Sequence, residues 1–208
     1  MIGITEHKGV CAPLIIENVD TDQIIPSREM TRVSKTGLGS GLFAGWRYLY
    51  DGKNKTGLNM DFVLNQPQFE GASILLGGIN FGCGSSREHA VWALEDFGIK
   101  VIIAESFGRI FRNNCAHNGL LAIDLPASAI ENIRAQTSAS PQQQQLLVDL
   151  VHCKVRTPAG DVYTFEIDGY DRSMLLKGLD YIDHTLQFAE DIDRFVTRDR
   201  ESRPWAYL

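Results

Sequence analysis

The chain holds 208 residues, with 20 Lys and Arg against 26 Asp and Glu, a formal net charge of −6. Hydrophobic residues make up 44% and charged residues 22%, the balance of a folded protein that can bury a core without disulfide or metal staples. The acidic excess argues against a nucleic-acid partner, and the longest uncharged stretch, residues 71–86, is too short and too rich in Gly and Ser for a membrane helix.

The first twenty residues carry Glu6, Glu17 and Asp20 and lack the basic-then-apolar layout of an export signal, which points to a cytoplasmic protein with reduced thiols. Residues 10–17 read as a buried strand that enters the polar turn Asn18-Val19-Asp20-Thr21-Asp22. Residues 36–59 hold six glycines among 24 residues, interleaved with Phe43, Trp46, Tyr48 and Tyr50. Glycine at that density predicts a long loop whose aromatics either pack into the core or, the reading preferred here, close on substrate or partner. Residues 72–79 form an apolar strand, residues 80–86 a glycine-punctuated turn, and residues 87–97 a helix whose face is Ala90, Ala93, Leu94 and Phe97. Gly98 stops that helix, and strands follow at 100–104 and 120–125 on either side of an FGRIFRNNCAHNG loop. Beyond them come a helix over 129–135, the polar stretch TSASPQQQQ, and two β-like runs at 147–156 and 162–167 joined by a hairpin turn at 157–161. Helical segments at 172–177 and 182–197 close the chain. Strand–turn–helix–strand order predicts an α/β fold with parallel pairing, read as a single domain over residues 1–208.

The segment richest in chemistry is Asn80-Phe81-Gly82-Cys83-Gly84-Ser85-Ser86-Arg87-Glu88-His89. Ser85 stands three residues before Glu88, the spacing of a capping box with Ser85 as N-cap. Such a helix start would aim unpaired N–H groups and a positive dipole end at Ser85, Ser86 and Arg87. Gly82 and Gly84 leave room for a ligand against the backbone, and Arg87 offers a fork that fits a carboxylate. A Walker A loop, a dinucleotide fingerprint and a nucleophile elbow all fail here, for want of Lys before the serines, Gly at 87 and Gly at 88. These residues spell a carboxylate or phosphate site, or a capped helix start with no chemistry. Cysteines at 11, 83, 115 and 153 show no C-x-x-C spacing, so no metal site is written in them.

NFGCGSSREHAVWAL, together with NVDTDQIIP near the N-terminus, resembles the small-subunit family of 3-isopropylmalate dehydratase. GLFAGWRY, DFVLN, FRNNCAHNGLLAI and GLDYIDHTLQ extend the likeness, in order, over nearly the whole chain. The resemblance implies a swivelling β/β/α domain like the C-terminal domain of aconitase. It implies that Ser85 is the catalytic base, that Ser86 and Arg87 bind a substrate carboxylate, and that Asp22 organises them. The implied reaction is the dehydration and rehydration that interconverts 2- and 3-isopropylmalate through 2-isopropylmaleate in leucine biosynthesis. It needs a Lewis acid, which the family supplies as a [4Fe-4S] cluster. With no cysteine spacing to hold one here, the cluster is expected on a large subunit, in a heterodimer or heterotetramer with this chain.

Two alternatives stay open: the small subunit of a sister hydro-lyase acting on citraconate/methylmalate or homoaconitate, and a non-catalytic anion-binding module using the same helix terminus. The stretch 26–45 is expected to read the substrate's third substituent. Cys83 reads as a small packed residue, His89 as a capping or packing one, and Asp20 as a turn residue. Arg109, Arg112, Asn113 and Asn114 either face the site or cap a local turn.

Overall fold

The computed structural model describes residues 3–30 and 34–207. Thr31, Arg32 and Val33, within the stretch expected to read the third substituent, lie outside the described residues. Strands β1 (Glu6–Gly9) and β2 (Cys11–Leu14) are followed by the one-turn helices α1 (Thr21–Ile24) and α2 (Ala44–Arg47) and the hairpin β3 (Tyr48–Asp51) and β4 (Asn54–Leu58). The middle of the chain alternates β5 (Ile74–Gly77), α3 (His89–Phe97), β6 (Val101–Ala104), α4 (Arg109–Asn118), β7 (Leu121–Asp124) and α5 (Ala127–Thr137). Strands β8 (Leu146–Asp149), β9 (Lys154–Arg156) and β10 (Val162–Thr164) come next. Helices α6 (Gly169–Lys177), α7 (Tyr181–Leu186) and α8 (Ala189–Ser202) finish the chain.

The parallel sheet runs β2-β5-β6-β7, with Cys11 beside Ile74, Ile74 beside Val101 and Val101 beside Leu121. Strands β5 and β6 are buried along their whole length, which is why they read as unbroken apolar runs rather than alternating ones. On one face, Leu75 and Ile102 pack with Ala90, Val91 and Leu94 of α3 and with Leu38, Leu42 and Phe43. On the other, Ile74, Leu76, Val101 and Ile103 meet Ile130 and Ile133 of α5 and Leu146, Val148 and Val155. Those last three belong to a second sheet, β1-β8-β9-β10, whose pairs are antiparallel. The layers are sheet, sheet and helix, the β/β/α order implied by the resemblance.

Residues 36–59, expected as one long loop, carry a 3-10 turn at Gly39–Gly41, helix α2 and the β3–β4 hairpin. Glycine acts here as punctuation: Gly52, at φ +58, lies between the two strands of the hairpin. Two of the four aromatics pack into the core. Phe43 is fully buried, and Trp46 stacks on it with centroids 5.7 Å apart. The FGRIFRNNCAHNG segment is also regular, since residues 109–118 are helix α4, ended by Gly119 at φ +85. The hairpin turn at 157–161 forms as expected, with the Thr157 N–H donating to the Asp161 carbonyl at 2.9 Å.

Candidate active site at the carboxyl edge of the parallel sheet

The turn after β5 leaves the sheet at its carboxyl edge, where open parallel sheets bind their ligands. It is stitched on both sides. Gly82 N–H donates to the Val19 carbonyl at 2.7 Å, and Phe81 N–H donates to the Ser106 carbonyl at 2.9 Å. The loops after β2, β5 and β6 thereby lie side by side, which brings Asp20 next to Cys83 across 63 positions of sequence.

Thr21 holds that junction. Its N–H donates to the Cys83 carbonyl at 2.9 Å, and its buried Oγ1 accepts from the Ser85 N–H at 3.0 Å. The Ser85 backbone is therefore tied to α1 outside any helix, and the expected capping box does not form. Helix α3 starts at His89 with Glu88 as its N-cap, and no side chain caps it. The Glu88 carboxylate accepts instead from Asn118 Nδ2 at 3.3 Å. Tertiary hydrogen bonds have outcompeted a local one. The positive end of the helix consequently lies past Arg87, and the charge at the site is that of the guanidinium.

A capping box does form one loop away. The Asp20 side chain accepts from the Gln23 N–H at 2.7 Å, while Gln23 Oε1 accepts from the Asp20 N–H at 2.8 Å. This satisfies the start of α1 and gives Asp20 the local role read for it. It also aims the next residues outward. Asp22 Oδ1 accepts from Arg87 Nη2 at 2.7 Å, and Arg87 Nε donates to Ser85 Oγ at 3.0 Å. Arg87 Nη1 donates to Ser27 Oγ at 3.1 Å, and Ser27 Oγ donates to Asp22 Oδ1 at 3.3 Å.

Three of the four expected site residues, Ser85, Arg87 and Asp22, are thus gathered on one guanidinium. Ser86 is exposed beside them, its carbonyl accepting from Asn114 Nδ2 at 3.2 Å. Of the α4 residues, Asn114 reaches the turn, Arg112 pairs with Asp124, and Arg109 and Asn113 are exposed. Thr21 and Ser27 escaped the sequence reading. Thr21 stands inside the quoted NVDTDQIIP motif, while Ser27 falls in the substrate-reading stretch 26–45 with no motif of its own to single it out.

The two glycines differ. A side chain at Gly82 would strike the Phe111 ring at 2.2 Å, so that glycine serves packing rather than ligand approach. Gly84, at φ +96, is exposed and leaves the backbone open to a ligand. Cys83 is half-buried, its thiol 3.5 Å from the Asn18 carbonyl. His89 packs its ring on Trp92 with centroids 4.8 Å apart.

The site is an open surface. Hollows of 800 Å³ and 660 Å³ lie beside the β3–β4 hairpin and near His7, and neither includes Ser85, Ser86 or Arg87. The donor set does not suit an iron–sulfur cluster. Cys11 and Cys115 are buried, the first pushed up to about 12 and the second well above its ordinary value by loss of solvent, so both stay thiols. Among the described residues, no three of His, Cys, Asp and Glu are grouped to hold a metal, and no helix is long and apolar enough to cross a membrane.

The family model described as the aconitase C-terminal domain matches residues 1–128, and one described as LeuD_N matches residues 131–169. The 3-isopropylmalate dehydratase small subunit of Cupriavidus necator is 54% identical over 98% of this chain and 97% of its own length. That of Marinobacter nauticus is 46% identical over 100% of this chain and 98% of its own. A crystal structure of 3-isopropylmalate dehydratase from Methanocaldococcus jannaschii superposes with a TM-score of 0.66 at 26% identity. It covers 91% of this chain and 98% of that one.

Proposed function

The chain belongs to the 3-isopropylmalate dehydratase small-subunit family, and from that premise we propose that Ser85, Ser86, Arg87 and Asp22 form half of a hydro-lyase site that a large subunit completes. The reaction interconverts 2- and 3-isopropylmalate through 2-isopropylmaleate, a step of leucine biosynthesis. The observation that carries this reading is the single guanidinium of Arg87, which touches the candidate base through Nε and the candidate support through Nη2.

A serine hydroxyl becomes a base only where its alkoxide is stabilised, and an N–H donor from a permanent cation 3.0 Å from Oγ provides that stabilisation. Ser85 takes the proton from the carbon beside a substrate carboxylate. The electrons of that C–H bond become the double bond of 2-isopropylmaleate as the hydroxyl leaves from the neighbouring carbon. Adding water with the opposite placement of proton and hydroxyl gives the isomer. Arg87 and the exposed Ser86 hold a substrate carboxylate so that the proton to be removed faces Ser85.

The [4Fe-4S] cluster, as the Lewis acid for the leaving hydroxyl, belongs to the large subunit in this reading, because the thiols of this chain are buried or scattered. The open surface around Arg87 fits a site whose other wall comes from a partner, in a cytoplasmic heterodimer or heterotetramer. The test is the rate profile of the chain reconstituted with its large subunit over 3-isopropylmalate, citraconate and homoaconitate. A kcat/KM highest for 3-isopropylmalate is expected. A profile led by either of the other two would move the chain to a sister reaction, and no hydration of any would remove the catalytic reading.

A further inference from the structure

We propose that Ser27 is a positioning residue for Arg87, fixing the plane of the guanidinium so that Nε meets Ser85 while the terminal nitrogens remain presented to substrate. The inference rests on the reading of Ser85 and Arg87 above and assigns a role to a residue outside that motif.

The direction of each hydrogen bond follows from chemistry. A guanidinium only donates, so Ser27 Oγ accepts from Arg87 Nη1 at 3.1 Å. The single hydroxyl hydrogen of Ser27 is then available to Asp22 Oδ1 at 3.3 Å, the oxygen that also accepts Arg87 Nη2 at 2.7 Å. Arg87, Ser27 and Asp22 therefore close a ring of hydrogen bonds. The backbone of Ser27 is held independently of that ring: it follows Pro26, at φ −60, and opens the 3-10 turn Ser27–Glu29.

The ring matters because of how few donors remain. Five N–H groups are available, and one each goes to Ser85, Ser27 and Asp22. Ser27 and Asp22, 3.3 Å apart, bridge the two terminal nitrogens across the end of the guanidinium, which leaves one hydrogen on each, pointing along opposite edges, where each can meet a separate substrate oxygen. Without Ser27 the guanidinium would rest on Ser85 through Nε and on an ion pair whose carboxylate side chain is 59% exposed. Ser27 holds the third nitrogen and braces that carboxylate. Met30 Sδ, 4.0 Å from Nη1, is too weak an acceptor to replace it.

The experiment measures kcat and KM for 3-isopropylmalate with the reconstituted two-subunit enzyme carrying Ser27→Ala, Ser27→Thr, Arg87→Lys, or Ser27→Ala with Arg87→Lys. Ser27→Ala is expected to lower kcat/KM about 5- to 30-fold, the loss of one hydrogen bond to a charged and half-exposed group, with most of the change in KM. Ser27→Thr keeps the hydroxyl and should restore most of it. Ser27→Ala should add nothing once Arg87 is Lys, because its effect runs through the guanidinium. A wild-type kcat/KM for Ser27→Ala beside a crippled Arg87→Lys would overturn the role of Ser27 alone, as would a full Ser27→Ala effect in the Arg87→Lys background. Wild-type kinetics for Arg87→Lys would overturn the site reading and this inference with it.

Discussion

Arg87 is held by contacts that add little to stability and much to geometry. Its pair with Asp22 has side chains 37% and 59% exposed, a class of ion pair that contributes about 0–1 kcal/mol. Asp22→Asn should therefore leave the urea midpoint of the isolated chain nearly unchanged while raising KM in the reconstituted enzyme. A large loss of stability, or an unaltered KM, would show that Asp22 serves the fold rather than the site. At this scale the sequence was informative where a residue type and its chemistry coincide. Ser85, Arg87 and Asp22 could be named from two motifs, and they meet. Thr21 and Ser27 could not, because their roles exist only through partners 64 and 60 positions away. The same distance explains the false capping box: Ser85 has the right spacing from Glu88, yet Thr21 and Asn118 claim the groups that would have formed it.

Among the elements, the turn between β5 and α3 is the most tightly specified. Gly82 combines φ +73 with a Phe111 ring where a Cβ would stand, so Gly82→Ala brings backbone strain and overpacking together. A loss of about 3 kcal/mol or more is expected in chemical denaturation, and a near-neutral result would mean that the turn can move away from α4. Strand β1 offers a pH-dependent counterpart. Burial, with Lys100 nearby, holds His7 below its ordinary value of 6.5, and its Nε2 lies 2.8 Å from Ser73 Oγ. Below that ordinary value the unfolded chain takes up a proton that folded His7 resists, so stability should fall as pH drops through this window. His7→Gln should flatten that fall when denaturation midpoints are compared at about pH 7 and about pH 5. An unchanged slope would place the pH dependence elsewhere. The buried strands were legible as apolar runs and the hairpin at 157–161 from its turn residues. Residues 36–59 and helix α4 were not. Glycine density there marks turns between short elements, and the helical face of α4 is interrupted by Arg112, Asn113 and Asn114.

The whole molecule is a layered body followed by the C-terminal helices α7, whose Tyr181 packs on His117 of α4, and α8. Ile182 and Leu186 on α7, Phe188 between the helices, and Ile192 and Phe195 on α8 are exposed, and the buried Asp199 is covered by Arg203 and Tyr207 of its own segment. A chain ending before Ala189 should keep the melting temperature of the body within a few degrees, whereas a large drop would mean that α8 supports the core. The β/β/α layering came from the family resemblance, while the parallel sheet was readable from strands apolar on both faces. The open site was not, since exposure of Arg87 follows from three loops meeting at one sheet edge. The central claim is that this edge supplies the base of a two-subunit hydro-lyase. Its most direct test is the rate of 2-isopropylmaleate formation by the reconstituted pair, comparing Ser85→Ala with the natural chain. We expect a fall of about 10²- to 10⁴-fold with assembly and melting unchanged. A rate equal to that of the natural chain would contradict the account.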